Sequence, residues 1–262
     1  MPETGFQPDF VHAVLDDATA AGARVYGIAG LQGSGKSTLS AQVASRAEAD
    51  GRRVAVLSID DFYLEQGARQ ALARDVHPLL ATRGPPGTHD LPLACDTVDA
   101  LREGRATPLP RFDKIDDVRL PRAAWPTCAG ADLVILEGWF LRTPPQAPDA
   151  LVAPLNPLER DEDPVGTWRR YCNDALGRDY PALWRRIDRL LFLQGPGFEV
   201  VPDWRWQQEQ TLQAREPGRH TMTRPQVERF VQFFERTSRQ ALRTLPAIAD
   251  RTITLDADRN PL

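Results

Sequence analysis

Lysine is almost missing from this 262-residue chain: Lys36 and Lys114 stand against thirty arginines. A compact ammonium and a forked guanidinium are not interchangeable, so a sequence that otherwise writes its cations as arginine has a reason for lysine at position 36. Cysteine is scarce too. Cys95, Cys128 and Cys172 lie far apart with no C-x-x-C spacing, which excludes a zinc ribbon and a disulfide framework and points to reduced thiols. There is no excess of positive charge. The formal net charge of −4 argues against nucleic acid or an anionic membrane as the main partner, while leaving room for a local basic pocket. No apolar run approaches the length of a membrane span, and residues 1–17 carry neither a basic start nor a long apolar stretch, so a cytoplasmic placement is expected. Internal repeats and low-complexity tracts are absent, and nothing in the sequence speaks to oligomeric state. What remains is an ordinary globular composition, 42% hydrophobic and 26% charged, consistent with one α/β domain over 1–262.

The most informative stretch is Gly30-Leu31-Gln32-Gly33-Ser34-Gly35-Lys36-Ser37. It fits G-x-x-x-x-G-K-[ST], the Walker A pattern, between the apolar run 25–29 and a helical run over 38–49. In that context the glycines let backbone N–H groups face phosphates, Lys36 reaches the outer phosphates and Ser37 offers its hydroxyl to Mg²⁺. The helix beginning near Thr38 adds the positive end of its dipole. Gly30, Gln32, Gly33, Ser34, Gly35, Lys36, Ser37 and Thr38 are therefore the expected nucleotide-binding residues.

Along the chain, apolar periodicity predicts a packing helix from Pro8 towards Gly22, then strands over 25–29, 53–59, 131–136, 188–193 and 251–255. Helices are expected over 92–103, capped by Asp90 and closed by Gly104, around Trp168 to Ala175, over 204–215, and from Thr223 to an end at Pro246. The run 53–59 is apolar enough to be buried. Strands alternating with helices imply a central parallel sheet covered on both faces. Residues 64–126 exceed what a crossover between strands two and three needs, and such an insertion carries function. It holds two proline-punctuated polar stretches, Arg83 to Asp90 and Leu109 to Lys114, whose prolines fix the backbone bearing their cations.

In an open parallel sheet the ligand sits at the carboxyl ends of the strands, so the phosphate loop, Asp60-Asp61 and Glu137 should converge. A hydroxyl acceptor for a phosphoryl group needs a carboxylate, and Mg²⁺ waters need acidic partners. Asp60 is the candidate base; Asp61 and Glu137 are candidates for the metal's surroundings. Asp after a strand also serves as a turn or cap, and position beside the phosphate loop favours the catalytic reading. Asp113-Lys114-Ile115-Asp116 resembles a guanine-recognition signature, but it precedes the third strand and begins with Asp, and no D-x-x-G follows that strand. Arg83, His89, Arg111 and Lys114 suit a small anionic acceptor such as a hydroxy acid or sugar phosphate. Each alone reads better as a solvated cation or a structural pair, Arg111 with Asp113 for example; as a group around glycine and proline they read better as a site.

Ser58-Ile59-Asp60-Asp61-Phe62-Tyr63, His77-Pro78-Leu79-Leu80, the Arg83 to Asp90 run, Pro110-Arg111-Phe112-Asp113-Lys114 and Leu136-Glu137-Gly138-Trp139 resemble the D-glycerate 3-kinase family. So do Pro154-Leu155-Asn156, Leu158-Glu159, Trp168-Arg169, Trp204-Arg205 and Gln208-Glu209. The likeness covers about 25–258. That family is similar to uridine kinases, phosphoribulokinases and pantothenate kinases, which share the P-loop NTPase fold and use an aspartate after the second strand as base; Asp60 matches it, and Glu137 matches their acidic residue after the third strand. The resemblance implies ATP and Mg²⁺ as cofactors and D-glycerate, a small hydroxy acid, as acceptor, giving 3-phosphoglycerate. Thr88 and Asp90 of the R-G-x-P-G-T-H-D motif join the acceptor contacts on that basis. It also implies an adenine pocket near the last strand and a lid within 143–185 or 204–222, with Arg205 as the transition-state cation. Arg142 departs from the family, standing where a glycine is expected, and would bear on the loop beside the acceptor pocket. Within the same chemistry a nucleoside, pantothenate or a sugar phosphate stays open as acceptor, and a nucleotide-dependent switch or assembly ATPase is the alternative from another class.

Overall fold

The computed structural model describes residues 5–215, 218 and 221–262. Its frame is a parallel sheet of β1 (Val25–Gly30), β2 (Val54–Ser58), β3 (Leu133–Gly138), β4 (Arg189–Gln194) and β5 (Arg251–Thr254), in the order β2-β3-β1-β4-β5. Alternate residues of each central strand serve opposite faces. Val25, Ala29, Val134, Leu136, Leu190 and Phe192 enter one apolar cluster, and Tyr26, Ile28, Leu133, Ile135, Leu191 and Leu193 enter the other. The second face is covered by α1 (Pro8–Ala20) and α2 (Lys36–Ala49), through Val14, Leu15, Leu39 and Val43. The first face is covered by helices from later in the chain, so both faces are dry, as a parallel sheet requires.

β2 is an edge strand. Ala55 and Leu57 are buried in the first cluster, while Val54 and Val56 pack against the second and are only half-buried, so the apolar run over 53–59 is fully covered on one side only. The insertion after it contains α3 (Gln66–Asp75) and α4 (Leu91–Arg102). Asp90 caps α4 by accepting from Leu93 N–H at 3.1 Å, and Ala94, Val98 and Leu101 seat the helix in the main core. The helix α3 was not legible in the sequence, because only Arg69 on it is buried. The insertion's remaining strands are two-residue antiparallel pairs, Thr107–Pro108 with Thr127–Cys128 and Phe112–Asp113 with Val118–Arg119.

Beyond β3 come α5 (Pro157–Glu162), α6 (Thr167–Arg178) and α7 (Pro181–Trp184); α8 (Val201–Arg215) and α9 (Arg224–Ile248) follow β4. Thr223 and Gln226 form a capping box at the start of α9. That helix passes through Pro246 rather than ending there, since Ala249 N–H closes a last turn on Leu245 C=O at 2.8 Å. The three cysteines are free thiols. Among the described residues no helix is long and apolar enough to cross a membrane.

Candidate active site

The carboxyl end of β1 runs into the phosphate loop, and α2 begins at Lys36. Gly33 and Gly35 have φ of 80° and 90°, which side chains avoid. Gly33 has a second constraint: a Cβ there would lie 2.6 Å from Trp204 Cβ on α8. The same glycine's carbonyl accepts from Arg259 Nε at 2.6 Å, the Arg259 guanidinium lies 5.0 Å from the Trp204 ring centroid, and Trp204 Nε1 donates to Ala257 C=O at 2.7 Å. The loop is thus strapped from outside by α8 and by the turn beyond β5. Nothing in the sequence marks Arg259, whose φ of 70° is unusual only in three dimensions.

Lys36 is buried and donates to Leu31 C=O at 2.9 Å. Burial lowers its pKa, opposed by the carboxylates of Glu137 and Asp60. Ser37, at the exposed start of α2 with Thr38, donates to Glu137 Oε1 at 2.9 Å across the β1–β3 boundary. Gln32 Nε2 and Ser34 Oγ are buried in the loop without a hydrogen-bond partner among the described residues.

At the end of β2 a 3-10 turn over Ile59–Phe62 buries Ile59 and Phe62 and so turns Asp60 and Asp61 out towards the insertion. Lys114 Nζ donates to Asp60 Oδ2 at 2.6 Å. Burial pushes the Asp60 pKa up; the Lys114 ammonium outweighs it, with smaller pulls from the Tyr63 hydroxyl and His89, and leaves it at about 2. Burial likewise works against the Lys114 charge, yet Asp60 and Glu137 raise its pKa overall. Both lysines of the chain therefore face the same two carboxylates. Lysine scarcity marked Lys36 in the sequence, and the same signal applied to Lys114.

The other acceptor-site candidates are engaged with protein partners. Asp61 accepts from Arg111 Nη1 at 3.1 Å and Phe112 N–H at 3.3 Å, and burial raises its pKa against the pull of Arg111. The partner of Arg111 is thus Asp61 and not Asp113. Arg83 donates to Asp117 Oδ1 and to the Lys114 carbonyl, both at 2.6 Å, so it holds the backbone that carries the Lys114 ammonium. Thr88 is fully buried; its hydroxyl donates to Pro85 C=O at 2.7 Å and accepts from Gly84 N–H at 3.0 Å, knotting the Arg83–Asp90 run. Asp90, besides capping α4, pairs with Arg119 at 3.0 Å. His89 lies against the Tyr63 ring at 5.0 Å, is buried, and has its pKa pushed down to about 4 by that burial, against a smaller upward pull from Asp60. The fold brings Lys36, Ser37, Asp60, Glu137, Lys114 and His89 together, and leaves Arg83, Thr88, Asp90 and Arg111 shaping the walls.

Arg205, on the turn of α8 after Trp204, pairs with Glu209 and lies 3.3 Å from Gln208 Oε1. Burial lowers its pKa; Arg83 and Asp60 also act on it electrostatically, which places its charge at the same cleft. The two lid candidates differ. In 143–185, Trp168, Cys172 and Ala175 sit in the main core, and Arg169 is buried on Asp163 at 3.1 Å, so that segment is fastened. The segment 204–222 begins in α8, and its residues 216, 217, 219 and 220 lie outside the described residues.

Arg142, which stands where a glycine was expected, has φ of 56°. Its guanidinium reaches Asp250 Oδ2 at 3.4 Å and bonds the Ile187 carbonyl, at the amino ends of β5 and β4. The side chain therefore fastens the opposite end of the sheet from the phosphate loop, and does not line an acceptor pocket.

A solved D-glycerate 3-kinase from Cryptococcus neoformans superposes with a TM-score of 0.75 at 26% identity, covering 97% of this chain and 95% of that one. The chain is homologous to the D-glycerate 3-kinase family of P-loop kinases. The chloroplastic D-glycerate 3-kinase of Arabidopsis thaliana is 30% identical over 91% of this chain, which spans only 54% of that protein's length. An uncharacterised kinase of Schizosaccharomyces pombe is 29% identical over 73% of this chain and 72% of its own. A family model described as methylmalonyl Co-A mutase-associated GTPase MeaB matches residues 9–68. That match spans α1, the phosphate loop, β2 and the Asp60 turn, and ends before Arg83, His89 and Lys114, so it carries nothing about an acceptor.

Proposed function

We propose that this chain is an ATP-dependent kinase that phosphorylates the 3-hydroxyl of D-glycerate to give 3-phosphoglycerate. The observation that carries the reading is Asp60, a carboxylate beside the phosphate loop that Lys114 Nζ, at 2.6 Å, holds ionised. A switch protein has no need of such an acceptor for a proton. The relatives called D-glycerate 3-kinase support the choice of acceptor.

In this reading Lys36 and the loop N–H groups hold the phosphates, and Asp60 aligns the primary hydroxyl and receives its proton. Ser37 fits a Mg²⁺ ligand, because Glu137 already orients its hydroxyl; Glu137 would hold a metal-bound water, a better fit than Asp61, which Arg111 and Phe112 occupy. When bound, the ion supplies charge neutralisation along the phosphates. Arg205 supplies a further positive charge, and the outer part of α8 forms the lid.

Coupled ADP release with a panel of acceptors tests the proposal. D-glycerate should stimulate turnover and yield a product phosphorylated at the 3-hydroxyl. Stimulation by uridine, pantothenate or a sugar phosphate alone would move the acceptor; stimulation only by a protein partner would replace the kinase with a switch.

A further inference from the structure

His89 is held by a tyrosine far away in sequence. Tyr180, directly before α7, is fully buried, and its hydroxyl oxygen lies 2.6 Å from His89 Nδ1 and accepts from Gly87 N–H at 3.0 Å. Burial raises the Tyr180 pKa well above its ordinary value, so the hydroxyl keeps its proton. A buried O–H must have an acceptor, and an imidazole nitrogen is the one within reach. Were Nδ1 protonated as well, two hydrogens would face the phenol oxygen and the Tyr180 proton would be stranded. The bond directions therefore run Gly87 N–H to Tyr180 oxygen, and Tyr180 O–H to Nδ1. A neutral imidazole that accepts at Nδ1 carries its hydrogen on Nε2. His89 Nε2 is buried and has no hydrogen-bond partner among the described residues, while Asp60, Tyr63 and Tyr180 are the titratable groups around the ring.

We infer that the Nε2–H of neutral His89 is a fixed hydrogen-bond donor to the oxygen next to the reacting hydroxyl of a small 2-hydroxy acid, and that Tyr180 is the positioning residue that sets this tautomer. The first half rests on the function proposed above. A donor on the attacking oxygen would occupy a lone pair it needs, which directs His89 to the neighbouring 2-hydroxyl. Arg83, Arg111 and Lys114 are cations already paired with carboxylates; His89 is a neutral donor left open. A site built to donate to a substrate oxygen rejects the analogue that lacks it far more strongly than a merely apolar pocket does.

Two measurements decide it. In ¹⁵N-histidine-labelled wild type, with the His89 signals assigned by their loss in His89→Gln, the ring should show the Nε2–H neutral tautomer at pH 7. An Nδ1–H tautomer, or a charged ring at that pH, overturns the inference, and this readout needs neither substrate nor a variant at Tyr180. In kinetics, wild type should prefer D-glycerate to 3-hydroxypropanoate, and Tyr180→Phe should shrink that preference by about tenfold or more with the KM for ATP unchanged. His89→Gln, which can offer an N–H at a similar place, should retain more of the preference than His89→Ala. An undiminished preference in Tyr180→Phe and His89→Ala overturns the acceptor contact. If wild type phosphorylates neither compound, the proposed function and the acceptor contact fall together, and the tautomer is still read from the spectrum.

Discussion

Lys114 Nζ and Asp60 Oδ2 meet at 2.6 Å across 54 residues of chain, one on the insertion and the other at the end of β2. The contact ties the segment that distinguishes this protein to the phosphate-loop frame it shares with many others. It also fixes the chemistry open to Asp60. A carboxylate held near pKa 2 is a feeble base, but phosphoryl transfer through a loose transition state asks mainly for alignment and a late proton acceptor. Arg83 stabilises the arrangement indirectly, by holding the Lys114 carbonyl at 2.6 Å.

Lys114→Met should therefore alter the acid side of the pH–rate profile. The depressed Asp60 pKa means the wild-type carboxylate stays ionised down to about pH 2, so Asp60 imposes no acid limb above that. Without the ammonium, burial acts unopposed by it, the pKa rises, and an acid limb enters the working range. We expect turnover to fall roughly 10²-fold at neutral pH, as for loss of a positioned acid–base partner. An unchanged profile would remove Lys114 from the control of Asp60.

Asp60→Asn separates binding from chemistry. The amide keeps the shape and loses the proton acceptor, while the phosphate loop, which Asp60 does not bond, is untouched. Equilibrium titration should show ATP affinity within about threefold of wild type, and kcat should drop by about 10²–10⁴. Wild-type turnover in this variant would take the base role from Asp60.

Gly33→Ala probes the strap on the phosphate loop. The substitution meets two obstacles, a φ of 80° and a Cβ 2.6 Å from Trp204 Cβ. Left-handed backbone alone costs a side chain about 1 kcal/mol, and displacement of α8 adds to that. We expect a lower Tm and at least about tenfold weaker ATP binding, with the KM for the acceptor less affected. Affinity equal to wild type would mean that the strap on Gly33 does not shape the loop.

Much of this could be read from the sequence because it is local. The phosphate loop is a contiguous pattern, and the burial of β1, β3 and β4 on both faces follows from their unbroken apolar runs. Asp60 and Glu137 were recoverable because parallel strands deliver their carboxyl ends to one place. What escaped were relations between distant polar groups. Nothing near Tyr180 announces His89, 91 residues away, and nothing in Arg111 says that Asp61 rather than Asp113 receives it. Apolar patterning reports which side a residue faces; hydrogen-bond partners depend on where two separate segments cross. The same limit hid the edge position of β2, whose composition matches that of a central strand.

Arg142 offers a contrast between strain and bonding. Its φ of 56° is costly for any side chain, and its guanidinium repays that by bonding Asp250 and the Ile187 carbonyl. Arg142→Ala keeps the strain and loses the bonds, so it should destabilise by about 1–2 kcal/mol in urea unfolding. Arg142→Gly loses the same bonds but relaxes the backbone, and should be more stable than the alanine variant by about 1 kcal/mol. Neither should change the KM for D-glycerate by more than about twofold, since the side chain lies at the amino ends of β4 and β5. A large KM change would return Arg142 to the acceptor pocket.

His89 makes folding stability depend on pH in a window that can be stated. Its pKa falls from an ordinary 6.5 to about 4 on burial, so between those values the unfolded chain binds a proton that the native state refuses. With more protons bound in the unfolded state, stability rises with pH. The contribution is fully present above about pH 6.5, drains away as pH falls towards 4, and amounts to roughly 3 kcal/mol at its fullest. Asp60 acts with the same sign but in a lower window, between its ordinary 3.8 and about 2, so the two do not overlap until the His89 loss is complete. Urea unfolding of wild type and His89→Gln from pH 4 to 7 isolates the first of these. The wild type should lose stability steeply below pH 6.5, and the variant, which has nothing to protonate at that position, should show a shallower slope over the same range even if its stability at pH 7 is lower. Parallel slopes for the two proteins would mean that His89 titrates in the folded state much as it does in the unfolded one, and that the imidazole is not held neutral by its surroundings.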